Sequence, residues 1–226
     1  MGARSTTLLL ALALALPAAA QGQAGDAIAY KPPAGDLKPR RVAGNMRGAV
    51  QSLPSVLVLT PDHLALTVSE QPTLLWFLSA PTRAPVEIAL VDPRQSAPVL
   101  ERTVSGERAG IQAFRLDEGS VRLERGIAYQ WSVALVVDAA QRSRDVVTAG
   151  AVMRVEPSPA ARDALAAGDA GRRAAVLAAE GIWYDALAAL SNALAQHPGD
   201  SRLRGGRIAM LEQAGLAEAA AFERRP

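Results

Sequence analysis

The chain has 226 residues, no cysteine, aromatics at only 4%, and 24 basic against 22 acidic side chains. Without cysteine there is neither a disulfide staple nor a lipid-modified thiol, so stability must come from hydrophobic cores. Nearly balanced charge provides no global field for nucleic acid, and no nucleic-acid partner is expected.

The first twenty residues read as an export signal. Arg4 supplies a positive start, Leu8–Leu16 is a short apolar run, and Ala18, Ala19 and Ala20 after Pro17 form a small-residue cleavage site before Gln21. The run is too short for a hydrocarbon core of roughly 30 Å at ~1.5 Å per residue. No later stretch approaches a membrane span. The expectation is a bacterial periplasmic or secreted protein with no integral membrane span after signal cleavage.

Residues 21–54 are rich in Gly, Ala and Pro, and Lys31, Lys38, Arg40, Arg41 and Arg47 face only Asp26 and Asp36. This composition predicts a flexible, solvated linker. A competing reading is a basic arm whose Arg40, Arg41 and Arg47 make weak contact with an anionic envelope polymer.

Strand signals then arrive at regular spacing, at 56–60, 64–69, 73–79, 86–92, 97–104, 110–117, 128–138 and 145–156. Turn residues separate them, including Thr60-Pro61-Asp62, Asp92-Pro93 and Ser105-Gly106. Short strands at this spacing, with no helical period among them, predict an antiparallel β-sandwich over 55–156. The connections are too short for the crossover helices of a parallel α/β sheet. In the 128–138 stretch, strict alternation puts Tyr129, Trp131, Val133 and Leu135 on one face. The segment from Leu123 through Gly126 to Tyr129-x-Trp131 resembles strands E and F of fibronectin type III. That resemblance implies that Tyr129 is a corner residue whose hydroxyl bonds back to the main chain. It also implies that Trp76 and Trp131 fill the core from opposite sheets. An exposed sugar-stacking platform is the alternative for the two tryptophans.

From about Pro157 to the end at residue 226 the chain is Ala/Leu-rich with helical spacing. The fold class expected is therefore mainly β with an α C-terminal part: an immunoglobulin- or fibronectin III-like sandwich followed by a helical unit. Gly181 and Gly215 stand 34 residues apart, as do Ala186 and Ala220. This spacing resembles a tetratricopeptide unit, with one complete repeat over 167–200 and a truncated second over 201–222. A generic helical hairpin docked on the sandwich is the competing reading.

Several stretches together resemble the DUF928 family, exported bacterial proteins of unknown function. They are Arg41–Gly48, Leu66–Leu78, Tyr129–Asp145 and Gly181–Leu187 (GIWYDAL). Asn45 and Met46 depart from the pattern, which would have a further Gly and Thr there. The resemblance implies an architecture and no reaction.

Catalytic constellations are sparse. His63 sits in a turn and His197 at a helix end, and no G-x-S-x-G or phosphate-binding glycine loop occurs. Neither a metal nor another cofactor is expected. Glu70, Asp138 and Asp145 remain as candidates for paired-carboxylate chemistry. The Asp138–Asp145 loop also carries Arg142 and Arg144. It reads as a hairpin turn with local salt bridges, or as an anion- or ligand-contacting loop at the end of a sandwich. In GIWYDAL, Trp183 and Tyr184 read either as packing at a turn between helices or as partly exposed interaction hot spots. The functional expectation is a non-catalytic, exported adaptor that binds an envelope protein partner. A module binding carbohydrate or envelope polymer is the alternative, and a carboxylate-dependent hydrolase is a third.

Overall fold

The computed structural model of the chain describes residues 28–35, 38–42 and 53–225. The expected signal segment, Arg47, and the departures at Asn45 and Met46 lie outside the described residues.

Alternating apolar positions build two sheets. The first contains β1 (Val56–Val58), β3 (Thr73–Leu78) and β6 (Gly110–Arg115), antiparallel in the order β1-β3-β6. The second contains β2 (Ala65–Thr67), β4 (Val86–Val91), β5 (Leu100–Val104), β7 (Ala128–Leu135) and β8 (Val146–Arg154), in the order β2-β8-β7-β4-β5. On β4, Val86, Ile88 and Leu90 are buried; on β7, Tyr129, Trp131, Val133 and Leu135 are buried. These are the period-two faces that the pattern predicts. Trp76 and Trp131 are both buried and lie on different sheets, which removes the sugar platform.

One pairing departs from the antiparallel expectation. β2 runs parallel to β8, with Ala65 beside Val152 and Thr67 beside Arg154. Short connections exclude parallel pairing only between strands that follow one another in the chain. Here β3 to β7 intervene and together serve as the crossover.

The sheets approach closely at Gly150, where a Cβ would stand 2.2 Å from Thr60 Cγ2. Nearby, the Val58 amide donates to Thr148 Oγ1 at 3.3 Å.

Among the described residues five helices follow: α1 (Pro159–Ala166), α2 (Ala170–Ala179), α3 (Trp183–Gln196), α4 (Ser201–Gln213) and α5 (Ala217–Glu223). Ser158, Asp169 and Asp200 cap α1, α2 and α4 by accepting backbone amides of the first turn. The turns from α2 to α3 and from α4 to α5 pass through Gly181 (φ +76°) and Gly215 (φ +68°). That left-handed conformation favours glycine.

The helices cover the outer face of the three-stranded sheet. β3 shows no alternation because both its faces are buried: Leu74, Trp76 and Leu78 on one side, Leu75 and Phe77 on the other. Phe77 meets Phe222 of α5 edge-on, with ring centroids 5.3 Å apart. One contiguous cluster of buried side chains takes in both sheets and the helices.

That cluster also contains Ile28 and Tyr30, which corrects the linker expectation for these residues. Residues 28–33 run across the helices, and Val42 exchanges two backbone hydrogen bonds with Ala149 of β8. Burial of one apolar and one aromatic side chain outweighs the local Pro/Gly composition.

Candidate functional site

The start of α3 is where sheets and helices are joined. Gly181 turns the chain sharply, so that three successive side chains of GIWYDAL enter the β-part. Trp183 is fully buried and its Nε1–H donates to Leu59 O at 2.8 Å. Tyr184, also buried, accepts from Trp131 Nε1 at 2.8 Å and donates to Ala151 O at 3.0 Å. Burial pushes the Tyr184 hydroxyl above its ordinary range. Asp185 accepts from Thr67 Oγ1 at 2.7 Å and from the Val68 amide at 3.1 Å. Burial pushes its carboxyl up, and the two hydrogen bonds oppose that shift. The expectation of partly exposed aromatics at 183 and 184 is therefore corrected. Their polar atoms find partners inside the same chain, on or just after strands far away in sequence.

The Asp138–Asp145 loop joins β7 to β8 and forms two local pairs. Arg142 Nε lies 2.8 Å from Asp145 Oδ2, and Arg142 Nη1 donates to Glu87 Oε1 at 3.0 Å. The Asp145 side chain is almost fully buried and also accepts the Val137 amide at 3.2 Å. Arg144 stands 3.9 Å from Asp138, which accepts the Ala140 amide at 2.9 Å. These contacts tie the loop to itself and to β4. Glu70 is elsewhere, between Arg122 at 2.6 Å and Arg154 at 2.9 Å. Arg154 ends β8 whereas Asp145 precedes it. At ~3.3 Å per residue the nine steps from Asp145 to Arg154 separate the two carboxylate sites by roughly 30 Å. Glu70, Asp138 and Asp145 do not converge on one pocket.

Of the basic arm, Arg40 pairs with Asp62 at 3.3 Å while largely exposed. Arg41 turns inward, donating to Thr60 O at 2.9 Å and Ala214 O at 3.4 Å. His63 contacts Tyr30, and His197 is an exposed residue just past α3. Among the described residues, no group of three or more His, Asp or Glu is placed to hold a metal ion.

Beside the α3 junction lies a cleft of about 170 Å³. Ser69, Gln71 and Thr73 line it from the β2–β3 connection and the start of β3. Leu165, Arg173, Asp185 and Asn192 line it from the helices. Leu165 is 41% exposed, one of the few large apolar side chains at the surface among the described residues. Arg173 donates to Ala167 O, forms no ion pair among the described residues, and leaves its buried Nε without a hydrogen-bond partner. A cationic group in no ion pair, in a cleft that also holds Asp185 and an exposed leucine, can receive an acidic or amphipathic group. Sequence reasoning missed these residues. The available signal was an arginine one turn before Leu177 on the buried face of an otherwise small-residue helix.

A family model described as Domain of Unknown Function (DUF928) matches residues 42–223. The chain belongs to this family. No curated protein matches it. The DUF928 match contains the α3 junction, the cleft and the Asp138–Asp145 loop, and it begins after the segment 28–35 that lies on the helices. No helix among the described residues of this DUF928 chain is long and apolar enough to cross a membrane.

Proposed function

We propose that this DUF928 chain is an exported, non-catalytic binding module that docks a protein partner of the bacterial envelope. The observation that carries the proposal is the cleft, where Arg173 forms no ion pair among the described residues and Leu165 is exposed. The reading of residues 1–20 as a signal supports export.

Finer features of the fold agree with a module built for binding. The strand order β1-β3-β6 and β2-β8-β7-β4-β5 supports an immunoglobulin- or fibronectin III-like sandwich. So does the Glu124 amide donating to Tyr129 OH at 3.2 Å, a tyrosine at a corner bonding back upstream. Two helix hairpins turning on glycines one 34-residue period apart support a tetratricopeptide-like unit. Both architectures commonly present surfaces to other proteins.

Chemical cross-linking in an envelope extract tests the proposal. Wild type, Arg173→Glu and Leu165→Glu are compared after their melting curves are shown to coincide. A defined partner band present with wild type and reduced at least fivefold in both variants is the expected result. A band of equal strength in all three removes the cleft as the docking surface. No defined band with wild type removes the adaptor role.

A further inference from the structure

Residues 28–33 lie on the helices in the manner of a bound peptide. Ile28 and Tyr30 are buried while Ala29 and Lys31 are exposed, so the segment docks by one face of an extended chain. The Gln213 side chain clamps its backbone: Nε2–H donates to Ile28 O and Oε1 accepts the Tyr30 amide, both at 2.8 Å. The Lys31 amide donates to Ala178 O at 3.0 Å, at the end of α2. Ile28 fills a notch that exists because position 206 has no side chain; a Cβ there would stand 2.8 Å from Ile28 Cδ1. Pro33 covers Gly181 in the same way, 3.0 Å from where its Cβ would be. Tyr30 enters between Trp183, edge-on at 4.9 Å, and His63, stacked at 5.9 Å.

Two features distinguish this segment from ordinary core. The groove residues Gly206, Gln213, Gly181, Trp183 and His63 all lie within the family match, and the occupant lies before it. The recognition is also modular. An amide clamp reads any extended backbone, the Gly206 notch and the Trp183–His63 slot select side chains at alternate positions, and the prolines pre-order the chain so that docking costs little entropy.

We propose that this groove is a receptor for an extended peptide of a protein partner, with an apolar residue, an aromatic two positions on and a proline three further. Residues 28–33 are an occupant in cis, held by the high effective concentration of a tethered segment and displaced by such a peptide. This goes beyond the cleft, which lies elsewhere on the helices and is tested separately.

A labelled peptide of residues 28–35 (IAYKPPAG) is titrated, by fluorescence anisotropy, into the full chain and into its Tyr30→Asp variant. The variant, with its own segment expelled, binds the peptide at least tenfold more tightly than wild type. Adding Gly206→Leu or Gln213→Ala to the variant removes that gain. Hydrogen exchange on unaltered protein gives an independent reading. The Tyr30 and Lys31 amides exchange at least a hundredfold faster than the amides in the middle of α3. A variant that keeps its circular dichroism and cooperative melting but binds no peptide overturns the proposal. So does exchange at residues 30 and 31 as slow as in α3, which would make the segment part of the core. A wild-type dimer that Tyr30→Asp dissolves would assign the groove to a second copy of this chain and overturn the partner assignment.

Discussion

Tyr184 places one hydroxyl between a tryptophan of the five-stranded sheet and a carbonyl of β8. Tyr184→Phe keeps the ring and removes the acceptor of Trp131 Nε1 in a buried site. Leaving such a donor unpaired costs about 1–3 kcal/mol. The urea midpoint should fall correspondingly with an unchanged slope, and an unchanged midpoint would mean that the hydroxyl does not hold the junction. Asp185 makes a prediction about pH. Its folded-state pKa is raised by burial, so the folded chain holds that proton more tightly than the unfolded chain, whose aspartates titrate near about 4. The stability it contributes is full below pH about 4 and lost as pH rises through the raised value. Asp185→Asn keeps an acceptor for Thr67 and Val68 and does not ionise. The melting temperature of the variant should therefore rise relative to wild type between pH 4 and pH 7. A gap that stays constant over that range would show that Asp185 is not paying for its burial.

At the scale of elements, the two helix turns form a matched pair. Gly181 and Gly215 have the same left-handed conformation, but only Gly181 lies under the N-terminal segment, with Lys31 O and Pro33 at 3.0 Å from its Cβ position. At Gly215 the nearest atom is Arg41 Nη2 at 3.9 Å. An alanine at 215 should cost only the conformational strain, about 1–2 kcal/mol. Alanine at 181 should cost measurably more, because backbone and a proline ring must also move. Equal losses on chemical denaturation would show that the segment does not rest on that turn. The contrast also shows what a sequence can disclose. The eight strands among the described residues were legible from short apolar runs set between turn residues, most of them alternating, whereas β3 is a continuous apolar run buried on both faces. The helix turns were legible from the glycine spacing. The parallel partnership of β2 and β8 was not, since it joins segments far apart in the chain and leaves no local pattern. Ile28-x-Tyr30 is an alternation only one step long, set among prolines and basic residues whose composition reads as linker. The orientation of Trp183 and Tyr184 was undecidable locally: an aromatic pair after a glycine suits a surface or an interior. Leu59 O, Trp131 and Ala151, all distant in sequence, decide it. The cleft escaped for the same reason, because Arg173 and Ser69 come to line one cleft only in the folded chain.

For the whole molecule, the continuous core predicts that the helices do not stand without the sheets. Trp183 and Tyr184 bury themselves in the β-part, and Phe222 of α5 lies on Phe77 of β3. Each of the two α3 aromatics removes ~150–250 Å² from water, on the order of 4–6 kcal/mol at ~25 cal/mol per Å². A piece the size of residues 157–226 has a total stability of only about 4–10 kcal/mol at ordinary per-residue values. Exposing both rings removes most or all of that margin, and a helical unit of fewer than three repeats has no neighbouring repeats to make up the loss. Residues 157–226 expressed alone should therefore show reduced helical circular dichroism and no cooperative melting. The full chain should unfold in one calorimetric transition whose measured and van't Hoff enthalpies agree. A cooperative transition in the isolated helices, or two transitions in the full chain, would mean that the α3 junction is a contact between independent domains. In that case Tyr184→Phe should shift only one of the two transitions, so the residue-scale measurement reports on the same question from the other end.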